Sequence, residues 1–186
     1  MSRARFLLNF IRSPRQVGSL TPSSRWLCRH LLRAADFSGS RCIVEYGPGT
    51  ACLTKMILDI LPPAATLLAF EINKEFIRLI EKDCTHPRLL LIDDSAERVE
   101  TYLKEYGFRG ADYIFSGIPF STIPAAVRMG ILTATNRALA PDGLFIAYQY
   151  SLYILRALRS VFGNVGVSFE PRNIPPAFCF VCSKKA

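Results

Sequence analysis

Short apolar runs and longer segments of helical periodicity alternate along most of the chain. The runs are rich in Val, Ile, Leu and Phe, as in buried strands, and the longer segments repeat apolar residues every three or four positions. The runs span 42–46, 66–71, 88–93, 111–116 and 143–150, and the helical segments span 50–61, 73–84, 95–106, 122–139 and 152–160. This alternation predicts an α/β protein with a mostly parallel sheet and helices on both faces.

Two further apolar runs, at 164–170 and 177–183, have no helical segment between them. They therefore predict an antiparallel hairpin at one edge, which brings the sheet to seven strands. Two helices are predicted before the first strand, at 3–12 and 23–35. We expect residues 1–36 to form an N-terminal basic helical segment and residues 37–186 to form the main domain.

Polar side chains stand where the predicted strands end. They are Glu45, Glu71, Asp93, Asp94, Ser116 and Tyr150. Ligands of such sheets bind beyond the carboxyl ends of the strands, where the strand order reverses. Six polar residues at that edge predict a binding site there.

A glycine turn follows the first strand. Gly47-Pro48-Gly49 leads into a predicted helix, so backbone amides of the helix start would point at a ligand, and glycine lets that ligand approach the backbone closely. Ala51 occupies the third position of the turn and adds only a methyl group. Glu71 lies twenty residues beyond Ala51, the spacing of a carboxylate that accepts hydrogen bonds from two ribose hydroxyls. The pattern predicts a nucleotide site.

Asp94 follows the third apolar run and has two possible roles. Its carboxylate is placed to accept a hydrogen bond from the exocyclic amine of an adenine ring, or to cap the helix that begins near Ser95. Asp93 and Asp94 can also divide these roles between them. The residues alone leave the choice open.

Charge is concentrated at the N-terminus. The chain has 186 residues, a net charge of +8 and seven arginines but no acid before Asp36. In the predicted helix 3–12, apolar residues form one stripe: Phe6, Leu7, Phe10 and Ile11. A basic amphipathic segment suits an anionic partner, either phospholipid or nucleic acid, and the alternative is a solvated helix face.

The cysteines and histidines predict no metal site. Cys179 and Cys182 have the CxxC spacing but lie in a strand-like run, and only His30 and His86 are available as further ligands. His30 lies among arginines and is expected at the surface. We expect a reducing cytosol, because the six cysteines form no disulfide framework and neither a signal peptide nor a membrane-spanning stretch is recognisable.

The residues 45–51, with Glu71, Asp94 and the strand order, resemble a class I S-adenosylmethionine-dependent methyltransferase with its Rossmann-like sheet. The resemblance covers about residues 40–183 and implies S-adenosylmethionine as cofactor. It implies that Gly47 and Gly49 approach the methionine part, that Glu71 holds the ribose and that Asp94 contacts the adenine amine. The remaining expected cofactor-binding residues are Glu45, Ile72, Ser95 and Ser116.

A narrower resemblance involves the N-terminal sequence 10–25 and the loop Ser116-Gly-Ile-Pro119. Both are similar to bacterial phosphatidylethanolamine N-methyltransferases of the soluble, membrane-associating type. This implies methylation of phosphatidylethanolamine, through its mono- and dimethyl forms, towards phosphatidylcholine. It also implies a cytoplasmic protein held at the inner face of the membrane by its basic N-terminal helix. Gln149 stands where the family has a small polar residue.

Within that resemblance, the loop after the fourth strand is expected to bind the substrate through Gly117, Ile118 and Pro119. Tyr46 and Tyr150 are the candidates for shaping the reaction pocket. Alternation along the fifth strand puts Tyr148 and Tyr150 on one face and Gln149 on the other.

Three other functions compete with lipid methylation. An rRNA or other nucleic-acid adenine N-methyltransferase would also use a basic arm, but Gly117 stands where such enzymes carry an Asn or Asp acceptor. A small-molecule methyltransferase is the second alternative. The third is a catalytically weak binding protein that keeps the fold, for which Ala51 is the only indication.

Overall fold

The computed structural model describes residues 23–184, which hold six α-helices and seven strands. In chain order the elements are α1 (Arg25–Leu32), β1 (Cys42–Tyr46), α2 (Cys52–Ile60), β2 (Thr66–Phe70), α3 (Lys74–Asp83), β3 (Leu89–Ile92), a 3₁₀ turn (Ala96–Arg98), α4 (Val99–Glu105), β4 (Ala111–Ser116), α5 (Ala125–Ala138), β5 (Leu139–Gln149), a 3₁₀ turn (Leu152–Ile154), α6 (Leu155–Val161), β6 (Asn164–Glu170) and β7 (Ala177–Ser183). In residues 23–184, no helix is both long and apolar enough to cross a membrane.

The sheet has the order β3-β2-β1-β4-β5-β7-β6. Strands β1 to β5 pair in parallel, while β7 pairs antiparallel with both β5 and β6. The predicted parallel sheet with an antiparallel hairpin at one edge is therefore confirmed. The order reverses between β1 and β4, so this fold is expected to bind its ligand at the carboxyl ends of those two strands.

The main departure from the predicted elements lies at the glycine turn. Helix α2 begins at Cys52, two residues later than predicted, because Gly47, Gly49 and Ala51 all have positive φ, with values of 67°, 55° and 60°. A left-handed conformation costs a non-glycine residue about 1–2 kcal/mol. Ala51 thus adds backbone strain to the turn as well as a methyl group.

The core lies on both faces of the sheet, as the alternation of side chains requires. On β1, Val44 and Tyr46 face the layer of α4, α5 and α6, whereas Ile43 and Glu45 face α1 and α2. The second face matters for function because a carboxylate lies among otherwise apolar residues there.

Helix α1 is fastened to the β6–β7 hairpin by a polar network. Ser24 caps the helix through the backbone amide of Leu27, and its own amide donates to Asn173 Oδ1 at 2.9 Å. His30 contacts Glu170 Oε2 through Nδ1 at 3.2 Å. The His30 side chain is 27% exposed, so it lies at the surface as predicted, but its ring also joins two elements 140 residues apart.

Glu170 is the centre of this network, which we call the α1 clasp (Ser24, His30, Glu170, Arg172 and Asn173). Its side chain is only 1% exposed, and the Arg172 guanidinium donates to both carboxylate oxygens, at 2.8 and 3.0 Å. The Arg172 hydrogen bonds lower the pKa of Glu170 to about 2. The part of the N-terminal segment that the structure describes thus packs on the main domain, and the proposed division at residue 36 stays a prediction.

Replacing Glu170 with Gln should lower the free energy of unfolding at pH 7 by about 1–3 kcal/mol, because a buried acceptor of charged hydrogen bonds loses its charge. The depressed pKa means that the stabilisation is complete above about pH 4.5 and is lost as the pH falls towards 2. Denaturant unfolding at several pH values should therefore show the difference between the two proteins shrinking over that range.

Glu81→Gln is the matched control, because Glu81 is exposed on α3. It should leave stability unchanged within about 0.5 kcal/mol. A Glu170→Gln protein as stable as the control would contradict the role given to the α1 clasp.

Candidate active site

A cavity opens at the carboxyl ends of β1 and β4, where the strand order reverses. Its walls come from α1, the glycine turn, the start of α2, α3 and the ends of β4 and β5. The lining residues are Ser23, Cys28, Leu31, Glu45, Gly47, Pro48, Gly49, Thr50, Cys52, Leu53, Phe76, Gly117 and Tyr148. The cavity therefore lies where the sequence predicted the binding site.

Two glycines from different loops meet at the floor of this cavity. A Cβ on Gly117 would lie 2.9 Å from the carbonyl oxygen of Gly47, which is closer than real Cβ atoms approach. A Cβ on Gly47 would lie 3.4 Å from Cγ1 of Ile118 and would also sit on a backbone with φ of 67°. Both positions therefore require glycine for the two loops to pack together.

Glu45 brings an almost fully buried carboxylate to the cavity wall. The residue is 2% exposed, and its Oε2 has no hydrogen-bond partner among residues 23–184. Burial raises the pKa of Glu45 to about 7, despite the nearby Thr54 hydroxyl, which lowers it. An unpaired buried carboxylate is costly, so this atom is suited to a cationic ligand group.

Glu71 joins the end of β2 to the glycine turn. Its Oε1 accepts hydrogen bonds from the amides of Ile72 and Asn73, both at 2.9 Å, and its Oε2 accepts one from Gly49 at 3.3 Å. Burial raises the pKa of Glu71, while these three amides lower it. One lone-pair site of the fixed carboxylate stays free, on Oε2, and can accept a hydrogen bond from a ribose hydroxyl.

The start of α2 supplies free hydrogen-bond donors. Ala51 occupies the N-cap position and gives no side-chain cap, and the first turn holds no acid. Amide groups at such a helix start attract an anionic group. A zwitterionic amino-acid moiety matches these donors together with the carboxylate of Glu45.

Gln149 fixes the loop after β4. Its Nε2 donates to the carbonyl oxygen of Ile118 at 2.8 Å, and its Oε1 accepts from the amide of Phe120 at 3.1 Å. Sequence reasoning noted Gln149 only as a departure from the family pattern. The alternation that turned Gln149 away from Tyr148 and Tyr150 is the signal that could have assigned it to this loop.

Tyr148, and not Tyr150, lines the cavity. Ser23 Oγ donates to its hydroxyl at 2.9 Å, and burial raises the pKa of Tyr148 to about 12. Tyr150 packs edge-on to Tyr148, with ring centroids 6.0 Å apart, and also faces Asn173 of the α1 clasp. The two tyrosines share one face of β5, as predicted, but the one that reaches the cavity is Tyr148, two residues before Tyr150.

Tyr46 does not reach the cavity, so its assignment to the reaction pocket is corrected. The side chain is fully buried on the other face of the sheet, edge-on to Phe70, and its hydroxyl accepts a hydrogen bond from Thr135 at 3.3 Å. The physical reason is alternation: neighbouring residues of β1 point to opposite faces, and Glu45 already faces the cavity.

The residues expected around adenine lie outside the cavity lining. Asp94 accepts hydrogen bonds from the Ser95 amide, the Arg98 guanidinium and the Tyr102 hydroxyl, and its Oδ1 retains a free lone pair. The hydroxyl of Ser95 caps the following 3₁₀ turn, a role that the sequence had given to an aspartate.

The other departures are smaller. Asp93 pairs with Lys74, so neither aspartate caps the turn after β3. Ser116 is fully buried, and its hydroxyl accepts a hydrogen bond from the amide of Ile118 at 3.3 Å. It therefore stabilises the loop after β4. Ile72 presents its amide to Glu71 and is not part of the cavity lining.

Two thiols meet at the wall between α1 and α2. Cys28 and Cys52 both line the cavity, and their sulfur atoms lie 3.6 Å apart. Burial is the main cause that raises the pKa of Cys28, so this thiol stays protonated at neutral pH. The pair packs α1 against the start of α2 and closes that side of the cavity.

Comparison with known proteins shows which family has this arrangement. No protein-family model matches the sequence. The ornithine lipid N-methyltransferase of Singulisphaera acidiphila is 30% identical over 179 residues, which cover 95% of this chain and 93% of that protein. The chain belongs to the S-adenosylmethionine-dependent lipid N-methyltransferases.

Solved structures agree on the fold of this lipid N-methyltransferase. The N-methyltransferase NodS of Bradyrhizobium japonicum, in complex with S-adenosylhomocysteine, superposes with a TM-score of 0.68 at 11% identity and covers 98% of both chains. PigF with S-adenosylhomocysteine gives a TM-score of 0.63 at 18% identity over 86% of this chain, which spans only 55% of that neighbour. The expected fold class and the expected cofactor, S-adenosylmethionine, are both confirmed.

The residues of the cavity fit this cofactor. The unpaired carboxylate of Glu45 suits its ammonium group, the free amides at the start of α2 suit its carboxylate, and Glu71 suits its ribose. The individual contacts stay predictions. Because the chain belongs to this family, the protein is a methyltransferase.

The affinity for S-adenosylhomocysteine should rise roughly tenfold or more between pH 5.5 and 7.5, because Glu45, with a pKa of about 7, must lose its proton to pair with the ligand's ammonium group. The ligand's amino group keeps its charge over this range. Isothermal titration calorimetry at several pH values measures this. Glu45→Gln should bind more weakly and show no such rise.

Protein stability gives a second readout on the same carboxyl. Its raised pKa means that the folded state holds the proton longer, so this group lowers the free energy of unfolding as the pH rises from 4.5 to about 7. Glu45→Gln should remove that decline, whereas exposed Glu105→Gln on α4 should not. A binding curve that rises equally in the Glu45→Gln protein would rule out the assigned role.

Proposed function

We propose that the protein methylates the amino group of a polar lipid at the membrane surface, with phosphatidylethanolamine as the acceptor and its mono- and dimethyl forms as later acceptors. The observation that carries lipid methylation is the 30% identity to a lipid N-methyltransferase over 95% of the chain. The choice of phosphatidylethanolamine is supported by the similarity of residues 10–25 and of the Ser116–Pro119 loop to enzymes that act on it.

Ornithine lipid is the second candidate acceptor. It is favoured by one observation, since the relative from Singulisphaera acidiphila is an ornithine lipid N-methyltransferase. Both lipids offer a primary amine on a flexible headgroup that also carries an oxyanion. They differ in the anion, which is a phosphate diester in one and a carboxylate in the other.

The methyl donor needs no chemical activation by the protein. Bound S-adenosylmethionine supplies a methyl group on a positively charged sulfur, so no protein acid or base has to activate it. Glu45, the amides at the start of α2 and Glu71 hold the donor in place. The closely packed loops at Gly47 and Gly117 would border the bound donor and would help to exclude water from the reaction.

Tyr148 guides the acceptor. The amine must be uncharged to attack, so one ammonium proton leaves to solvent before the N–C bond forms and the S–C bond breaks. With a pKa of about 12, Tyr148 is a neutral phenol at physiological pH and is not the base. Its oxygen can accept a hydrogen bond from the amine, and its ring face attracts cationic groups.

The loop 116–120 completes the acceptor side. Gln149 holds the backbone of Ile118 and Phe120, so Ile118 and Pro119 border the approach to the cavity. Gly117 carries no side chain that could accept a hydrogen bond from an adenine amine, which favours a lipid over nucleic acid as acceptor.

Transfer of labelled methyl from S-adenosylmethionine tests the proposal. Parallel reactions should contain phosphatidylethanolamine in anionic liposomes, ornithine lipid in the same liposomes, and total RNA. We expect label in mono-, di- and trimethylated phosphatidylethanolamine, separated by thin-layer chromatography. Tyr148→Phe should lower the rate about tenfold or less, because it removes one hydrogen bond and keeps the ring.

The outcomes separate the candidate functions. Label only in ornithine lipid would mean that ornithine lipid, and not phosphatidylethanolamine, is the acceptor. Label in RNA alone would refute lipid methylation. Glu71→Gln, which alters the expected ribose contact, is the control for donor binding and should weaken transfer to every acceptor alike.

We propose further that the basic N-terminal segment holds the enzyme at the cytoplasmic face of an anionic membrane. Its apolar stripe lies outside the described residues, so the support is the sequence pattern alone. Exchange of Phe6, Phe10 and Ile11 for Ser should abolish sedimentation with anionic liposomes and leave the affinity for S-adenosylhomocysteine unchanged. Undiminished sedimentation would refute this role.

A further inference from the structure

Arg128, one turn into α5, has no charged partner within the described part of the chain, residues 23–184. Its Nη1 donates to the carbonyl oxygen of Phe120 at 3.2 Å, and its guanidinium lies 5.1 Å from the ring centroid of Tyr153. Its Nε is buried and has no hydrogen-bond partner among residues 23–184. In the same part of the chain, no acidic side chain forms an ion pair with it.

This arrangement is unfavourable in the protein alone. A buried donor that makes no hydrogen bond destabilises the folded protein. The position adds to the cost, because Arg128 stands near the N-terminal end of α5, where the helix dipole is positive and the first turn holds no acid. An oxyanion bound to the remaining donors of the guanidinium would offset this second penalty.

The position also relates Arg128 to the acceptor loop. The Phe120 amide donates to Gln149 Oε1, and the Phe120 carbonyl oxygen accepts from Arg128 Nη1. The guanidinium therefore lies at one end of the loop, and Gly117, which lines the cavity, lies at the other end. The neighbouring Tyr153 and Leu152 are 61% and 45% exposed. An amphiphilic molecule that reaches the cavity past this loop meets a cation flanked by apolar surface.

We propose that Arg128, supported by the Tyr153 ring, binds the oxyanion of the acceptor lipid's headgroup and so orients the amine towards the cavity. The inference rests on the proposed function and adds a recognition residue to it. The shared chemistry is an anionic oxygen group, a phosphate diester or a carboxylate, a few bonds from a primary amine. A guanidinium offers paired donors for either group.

Acceptors with and without the anion test this. Phosphatidylethanolamine is compared with its phosphate methyl triester, and ornithine lipid with its carboxyl methyl ester, each in neutral detergent micelles so that bilayer attraction does not contribute. The unaltered protein should prefer each charged acceptor. Arg128→Gln should raise KM for the charged acceptors by about ten- to hundredfold and change kcat less, because a charge-assisted hydrogen bond is lost.

The esters should respond differently. Arg128→Gln should leave KM for the esters close to that of the unaltered protein, and Arg128→Lys should fall between the two for charged acceptors. Arg159→Gln is the matched control, since Arg159 is exposed in the last turn of α6. It should change none of these values, and no variant should change the affinity for S-adenosylhomocysteine.

Several results would overturn the inference. One is an equal loss for charged acceptors and esters in Arg128→Gln, which would mean that Arg128 acts only through the Phe120 carbonyl. Another is an unaltered protein that shows no preference for the charged acceptors, a result that does not depend on any variant folding. Methylation of neither lipid by the unaltered protein would overturn the proposed function, and this inference with it.

Discussion

The close packing of two backbone turns is the constraint on which the whole site depends. A Cβ on Gly117 would lie 2.9 Å from the carbonyl oxygen of Gly47, and Gly47 itself has a φ of 67°, so a larger residue is unfavourable at either position. Because these turns end the two strands at which the sheet order reverses, their contact fixes where β1 and β4 deliver their polar ends. The turn at Gly47 fixes the positions of Glu45 and of the start of α2, and the turn at Gly117 fixes the position of the acceptor loop.

Several groups near this contact lower the stability of the ligand-free protein. Glu45 keeps a desolvated carboxylate oxygen, Ala51 adopts a left-handed backbone conformation, and Arg128 buries an Nε donor that has no partner among residues 23–184. Each feature lowers the stability of the free protein by an amount comparable with a hydrogen bond or a backbone strain. In the function that we propose, the methyl donor lies on one side of the acceptor loop and the acceptor's anion lies on the other.

Much of the fold was predictable because it depends on local patterns. Apolar runs, glycine turns and acids at strand ends are visible within about ten residues, and they sufficed for the sheet, the hairpin and the positions of Glu45 and Glu71. Tyr46 was assigned wrongly because its place at a strand end was weighed without the alternation that turns it away. The α1 clasp and the role of Arg128 were not predictable, since their partners lie elsewhere in the chain and no short pattern records such contacts. Gln149 is an intermediate case: its face could be read from the strand, but not its partner.

The α1 clasp has a consequence for how the enzyme forms during synthesis. Helix α1 supplies Cys28 and Leu31 to the cavity wall, yet the groups that hold it in place, Glu170 and Asn173, are translated about 140 to 150 residues later. The glycine turn, Glu45 and Glu71 therefore leave the ribosome well before the residues that hold α1 in place. Until the final hairpin has been added to the sheet, helix α1 lacks the polar partners that fasten it at the cavity wall.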